Sequence, residues 1–179
     1  ALSELAGYFM KLRRYNHALP LSEEALTICQ ELYGKVNANT AEQLTNHSDL
    51  MYCCNNMTDA LSLYEEALEI KREVFGDLHP LTYTALTRMA ELYDDADNFD
   101  KAEKTYLKVL DIHQRIAMKS RTGQAGPGVA DTMIELAHLH EYKNNFQECL
   151  RYYNKAQQVY DDFYGPSRES RANCITEQA

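Results

Sequence analysis

Apolar residues recur along most of the chain at intervals of three and four, the spacing that gathers them on one side of a helix. In one stretch the stripe is Ala60, Leu63, Tyr64, Ala67, Leu68 and Ile70, with Glu65, Glu66, Lys71, Arg72 and Glu73 on the other faces. Gly76 predicts the stop, since glycine readily takes the left-handed conformation of a C-terminal cap. His79-Pro80 then opens a second helix whose stripe is Tyr83, Leu86, Met89, Ala90 and Tyr93. Two amphipathic helices on a short turn cannot cover both stripes alone, so further elements must pack against them.

The chain supplies those elements by repeating itself. Shifting it by 42 residues aligns Leu2, Leu44 and Leu86, and a further shift of 47 and then 42 reaches Met133 and Ile175. Four residues on from each stand Ala6, Ser48, Ala90, Ala137 and Ala179. The other helix of each pair carries Ala18, Ala60, Ala102 and Cys149, then Ala25, Ala67, Val109 and Ala156, then Ile28, Ile70, Ile112 and Val159. The longer third step, into the fourth copy, places an insertion in Met118 to Gly128, a Gly/Pro-containing stretch expected to form an exposed, mobile loop open to proteases.

The repeats predict helices over Tyr15 to Tyr33, Ala38 to Cys54, Met57 to Phe75, Leu81 to Asp95, Phe99 to Ala117, Val129 to Tyr142 and Phe146 to Tyr164. Gly34 and Gly165 end two of them, and Asn145 with Glu148 has the spacing of a capping box. A first, shorter helix carries Leu2, Leu5, Ala6 and Phe9; its counterparts start earlier, so a cut at Ala1 is expected. The first copy is expected to be the loosest, with Pro20 in its second helix and Ser22 where later copies have Tyr64 and Tyr106. The reading is a single array over 1–179 with repeats at 2–43, 44–85, 86–132 and 133–174 and the start of a fifth at 175–179.

Leucine, alanine four residues on and then an aromatic, followed by Ala, Tyr and Ala at helix-contact spacing, resembles the tetratricopeptide repeat. The 42-residue period and the Gly76-Asp-Leu-His-Pro80 turn are similar to the long repeats of kinesin light chains. The resemblance implies an all-α, right-handed superhelical solenoid of antiparallel helix pairs, whose first helices line a concave, peptide-holding side. It implies a non-enzymatic scaffold or adaptor. Kinesin light chains carry asparagines just after the leading leucine that help hold a peptide backbone; here Ser3, Thr45-Asn46, Thr87 and Ile134 follow it, so only Asn46 matches.

Composition bears on partners and setting. A net charge of −9 disfavours nucleic acid and anionic membranes, which need clustered Lys and Arg. No run of about 18 apolar residues is present, so membrane insertion is not expected, and neither is a secretory leader. The five cysteines include no Cys-x-x-Cys, which points to reduced cysteines packed as small hydrophobes in a cytoplasmic protein.

No catalytic set, metal site or cofactor site is expected. His138 and His140 are two apart and project about 200° from each other on a helix, too far to share an ion. The glycines of Gly123 to Gly128 follow a helix and precede no Lys-Ser/Thr, so they do not make a phosphate loop. What remains is the exposed stripe of the first helices. It consists of Ser3, Gly7 and Met10; Glu42, Thr45, Asn46, Asp49 and Tyr52; Thr84, Thr87, Glu91 and Asp94; and Asp131, Ile134, His138 and Glu141. Six of these are acidic and none is basic. A protein or peptide partner is expected there, with a basic, partly apolar segment as its ligand and Met10, Tyr52 and Ile134 as apolar anchors. The alternative is a regulatory sensor acting on an attached effector domain. Leu2, Leu5 and Phe9 at one end and Ile175 at the other are core positions without a following repeat, which would favour end-to-end self-association.

Overall fold

The computed structural model describes residues 1–119 and 126–165, and among these the chain forms eight helices and no strand. They are α1 (Leu2–Lys11), α2 (Tyr15–Tyr33), α3 (Ala38–Cys53), α4 (Met57–Phe75), α5 (Pro80–Asp95), α6 (Phe99–Lys119), α7 (Pro127–Tyr142) and α8 (Phe146–Tyr164). The chain divides into two compact units, Ala1–Leu92 and Tyr93–Ala179.

In the first unit α1 packs on α2, α2 on α3 and α3 on α4. Small residues let these helices approach: Ala18, Ala41, Ala60 and Ala67 are completely buried. One cluster joins Ala41 and Leu44 of α3 to Ala67 and Ile70 of α4, and another joins Ala6, Ala18 and Leu50. The first copy is the less covered one. Ile28 is 37% exposed where Ile70 is 6%, and Leu5 is 44% exposed. Leu5 was expected in a core stripe; in this unit no helix lies over its side of α1.

In the second unit α6 packs on α7 and α7 on α8. Ala102, Val109, Ala130, Leu136, Ala137, Leu139 and Ala156 are buried, and Cys149 lies with Ala137 and Tyr153. Cys149 thus packs as a small hydrophobe, as expected. Cys53 does not: it is exposed at the end of α3, while Cys29 and Cys54 are half-buried.

Two kinds of turn alternate, and each depends on a positive φ. Within pairs, Arg13, Asn55, Asp97 and Asn144 occupy the same repeat position with φ between 55° and 63°. The next residue's N–H reaches back to the carbonyl five residues earlier, as from Asn56 to Met51 and from Asn145 to His140, which ties off the helix end. Between pairs stand Gly34, Gly76 and Gly165, with φ of 75–82° but ψ of 166–173°. This is not the left-handed helical cap expected of them. It is the positive-φ, extended region that is essentially restricted to glycine, so the requirement for glycine is stricter.

Other expectations need correction. Asn145 precedes α8 but its side chain makes no cap bond, and Glu148 pairs with Arg151 instead, so the capping box is absent. Asparagine side chains cap other helices: Asn37 accepts from the Asn39 N–H at α3, Asn98 from the Lys101 N–H at α6, and Asn56 from the Asp59 N–H at α4, where its amide also donates to the Asp59 carboxylate at 2.6 Å. Met118 and Lys119, expected in the Met118 to Gly128 loop, are instead the last residues of α6, and Pro127 and Gly128 are the first of α7. Gly126 precedes α7 and Pro127 opens it, a position where the missing N–H costs nothing. Residues 120–125, also expected in that loop, lie outside the described residues, as does the expected partial repeat with Ile175.

Candidate functional site

Helical spacing brings the expected stripe residues to accessible positions on α1, α3, α5 and α7: each of the fourteen from Met10 to Glu141 is at least partly exposed. Their charge is not what residue identities alone suggested. In the first unit, Arg88 on α5 supplies a cation that the stripe omitted. Its Nη1 donates to Glu91 Oε2 at 2.7 Å, its Nε lies 3.9 Å from Asp49 Oδ1, and its guanidinium sits over the Tyr52 ring, 5.6 Å from the centroid. Burial opposes the charge on Arg88, yet its hydrogen bonds with Glu91 and Tyr64 hold its pKa above the ordinary arginine value.

Tyr64 completes the cluster. It is almost fully buried on α4, and its hydroxyl donates to Asp49. Burial, then the bond to Asp49, raises its pKa, so it stays a neutral donor at physiological pH. Asp49 therefore spends its charge inside the protein, and so does Glu91. Glu42 faces a cation too. Lys71 reaches from α4 to Thr45 Oγ1 at 2.9 Å, with its pKa lowered by burial and partly restored by Glu42 and Asp49.

The second unit differs. Asp94, in the last turn of α5, has a carboxylate oxygen, Oδ1, that is buried and makes no hydrogen bond. Burial, reinforced by the negative charges of Asp95 and Glu135, pushes its pKa up, with His138 opposing. Glu135 occupies the repeat position of Arg88, so a carboxylate stands where the preceding copy has a guanidinium. Glu135 lies 3.8 Å from His138 Nδ1, Asp131 accepts from the Tyr160 hydroxyl, and Glu141 is exposed. The two histidines are separated as expected: His140 is buried and stacked on Tyr152, while His138 meets the Tyr153 ring edge-on. Among the described residues, no group of three or more His, Cys, Asp or Glu is placed to hold a metal ion.

A cavity of about 110 Å³ lies in the first unit, among α1, α2 and α3. Stripe residues Ser3, Gly7, Met10, Asn46 and Asp49 line it together with Ala6, Ser22, Gln43 and Leu50. Sequence reasoning found the stripe but not this cavity. Ser22 was noted only as an irregularity; its hydroxyl lies 3.1 Å from Nδ1 of the buried His47, whose pKa is lowered by burial.

Models of the tetratricopeptide repeat match residues 1–39, 44–115 and 130–163, which together take in most of the chain. The chain belongs to the tetratricopeptide repeat family. Repeats of this family form all-α solenoids that serve as scaffolds for protein–protein interaction, and the described helices are of that kind. Solved tetratricopeptide-type structures share the fold. BtubC (BKLC) from P. vanneervenii is similar at 22% identity over 93% of this chain, with a TM-score of 0.77; the chain spans 64% of that protein. A putative kinesin light chain from Podosopora anserina with nearly identical TPR-like repeats is similar at 16% identity over 97% of this chain and 80% of its own, with a TM-score of 0.78. RapI in its apo form is similar at 16% identity over 97% of this chain and 45% of its own, with a TM-score of 0.71. The kinesin light chain-like character read from the 42-residue period is thus matched in fold. No curated protein matches the sequence. Among the described residues, no helix is long and apolar enough to cross a membrane.

Proposed function

We propose that this tetratricopeptide repeat array is an adaptor that holds a peptide segment of a protein partner, and that a basic residue of that segment is met in the second unit by Asp94 and Glu135. One observation carries the reading: Asp94 keeps a buried carboxylate oxygen without a hydrogen-bond partner. Such a group is costly to leave unmet, and a cation brought by a partner to the exposed side of this half-buried carboxylate would offset that cost. The Arg88 cluster supports the choice of cation. Where a guanidinium is built in, it is held by two carboxylates and an aromatic face; at the next copy Glu135 replaces it, and the position calls for an outside donor. Attraction to the basic segment is accordingly assigned to the second unit, since Asp49 and Glu91 are already paired.

The test is an array of peptides of basic, neutral and acidic composition, screened against the native chain and Glu135→Arg. The substituted arginine copies Arg88, so it should occupy Asp94, leave the chain folded, and weaken binding of basic peptides by about tenfold or more. Replacing Glu65 and Glu69, on α4, with lysine is the control and should change binding little. Equal binding of basic and acidic peptides, or indifference to Glu135→Arg, would overturn the cation reading.

A further inference from the structure

Repeat register explains the cavity among α1, α2 and α3. In the second copy three side chains meet: Tyr64 from one helix, Asp49 from its partner and Arg88 from the following helix. The corresponding residues of the first copy are Ser22, Gly7 and Asn46, and all three line the cavity. The aromatic ring, its carboxylate acceptor and the guanidinium have each been replaced by a smaller group. Gly7 needs no absent side chain for packing reasons, because a Cβ built there would meet nothing within 4 Å. A glycine inside a helix is unfavourable, and here it leaves space open.

We infer that this cavity receives an aromatic side chain, tyrosine or phenylalanine, of the partner segment, in the place that Tyr64 fills in the next repeat. The inference rests on the reading of this face as a peptide-binding one, but it is independent of the Asp94 and Glu135 site. The chemistry of the lining fixes the occupant. Ala6, Met10 and Leu50 are apolar; of the polar residues, Ser3 donates to Gln43, Ser22 is engaged with His47, the Asp49 carboxylate is engaged with Tyr64 and Arg88, and Asn46 and Gln43 are neutral amides. An unpaired charge is therefore absent, and a cationic side chain gains nothing there. The volume suits a ring: about 150 Å³ of enclosed apolar cavity holds benzene, and the 110 Å³ here is partly open, so a ring need not be enclosed entirely. The next repeat accommodates a ring at the equivalent position, where Tyr64 of α4 is almost fully buried.

The probes are p-cresol and toluene, the side chains of tyrosine and phenylalanine, with isobutanol as the aliphatic comparison, followed by amide chemical shifts. Saturable shifts centred on Gly7, Met10, Ser22 and Asn46 are expected for the two aromatic probes, with isobutanol weaker by about tenfold or more. Ser22→Tyr should place the ring internally and abolish those shifts. Should that variant fail to fold, Gly7→Leu fills the cavity from α1 and favours the helix; it should abolish them likewise. Shifts that persist in the filled variant, that centre elsewhere, or that isobutanol matches would overturn the inference. A random peptide display selection adds the partner's side: an aromatic residue at a fixed position should be enriched on the native chain and lost on the filled variant. Aromatic probe binding with no charge preference in the peptide array would remove the cation site and leave this one, and the reverse pattern would remove this one alone.

Discussion

Ala102 gives the sharpest test of how the helices are held. It is completely buried on α6, in register with Ala18 and Ala60, and its N–H is bonded to the Asn98 carbonyl at 3.0 Å, so the backbone there is part of the helix and cannot easily yield. Replacing it with leucine adds three carbons. Burying such a side chain would contribute roughly 1.5–3 kcal/mol if space existed. At zero exposure it does not, and overpacking costs about 1–3 kcal/mol, so Ala102→Leu should destabilise by about that amount. For a chain of this size the loss corresponds to a fall in melting temperature of roughly 2–12 °C. Repeat arrays can depart from two-state unfolding, so the decisive assay is urea unfolding followed by circular dichroism and by tyrosine fluorescence, with coincident curves and an unchanged slope as the condition for comparison. Ala102→Cys is the matched control. The fourth copy already buries Cys149 at this position, beside Ala137 and Tyr153, so sulfur fits and the change should stay within about 0.5 kcal/mol. A leucine variant with a midpoint at or above that of the native chain would refute the claim that small residues here permit close helix approach.

Arg13 holds a positive φ of 56° at the position where two other copies use asparagine, so Arg13→Asn should stabilise by about 0.5–1 kcal/mol in the same unfolding assay. Gly76 has φ 82° and ψ 166°, and Gly76→Ala should cost about 1–3 kcal/mol although nothing obstructs a Cβ there; an unchanged midpoint would show that the turn relaxes freely. Asp94 has a folded pKa above its ordinary 3.8, so the fold binds its proton more tightly than the unfolded chain. Its contribution destabilises the fold above the raised pKa and disappears as pH falls through that value toward 3.8; Asp94→Asn should therefore be more stable than the native chain at pH 7, with the gap closing over that acidic window when melting is measured against pH. Tyr64→Phe removes the donor to Asp49 and leaves that carboxylate less satisfied, for an expected loss of about 1–3 kcal/mol by urea unfolding.

The helices were legible because their information is local. Tyr15–Tyr33, Met57–Phe75 and Phe146–Tyr164 begin and end where apolar periodicity and the following glycine place them. Repetition added what one helix lacks: four aligned copies identify Ala18, Ala60, Ala102 and Cys149 as contact positions, and all four are buried. Cap chemistry was less legible. Asn145 and Glu148 have the right spacing and make no cap, while Asn56 and Asp59 do, because an exposed carboxylate chooses among competing partners that spacing cannot rank.

The candidate site divides along the same line. That Asp49, Glu91 and Asp94 are accessible follows from helical spacing within one element, which the sequence by itself determined. Which of them is already paired was decided by the tertiary structure, since Arg88 and Tyr64 come from other helices to meet Asp49, whereas Asp94 keeps a buried oxygen without a hydrogen bond. The cavity belongs to the same class. Gly7, Ser22 and Asn46 are each unremarkable in sequence and lie on three different helices; comparison of copies could have flagged them together, but only packing shows that their missing volume is contiguous. Periodicity is set by each residue's own neighbours along the chain, whereas charge balance and empty space are set by atoms brought together from distant positions, and those require the fold.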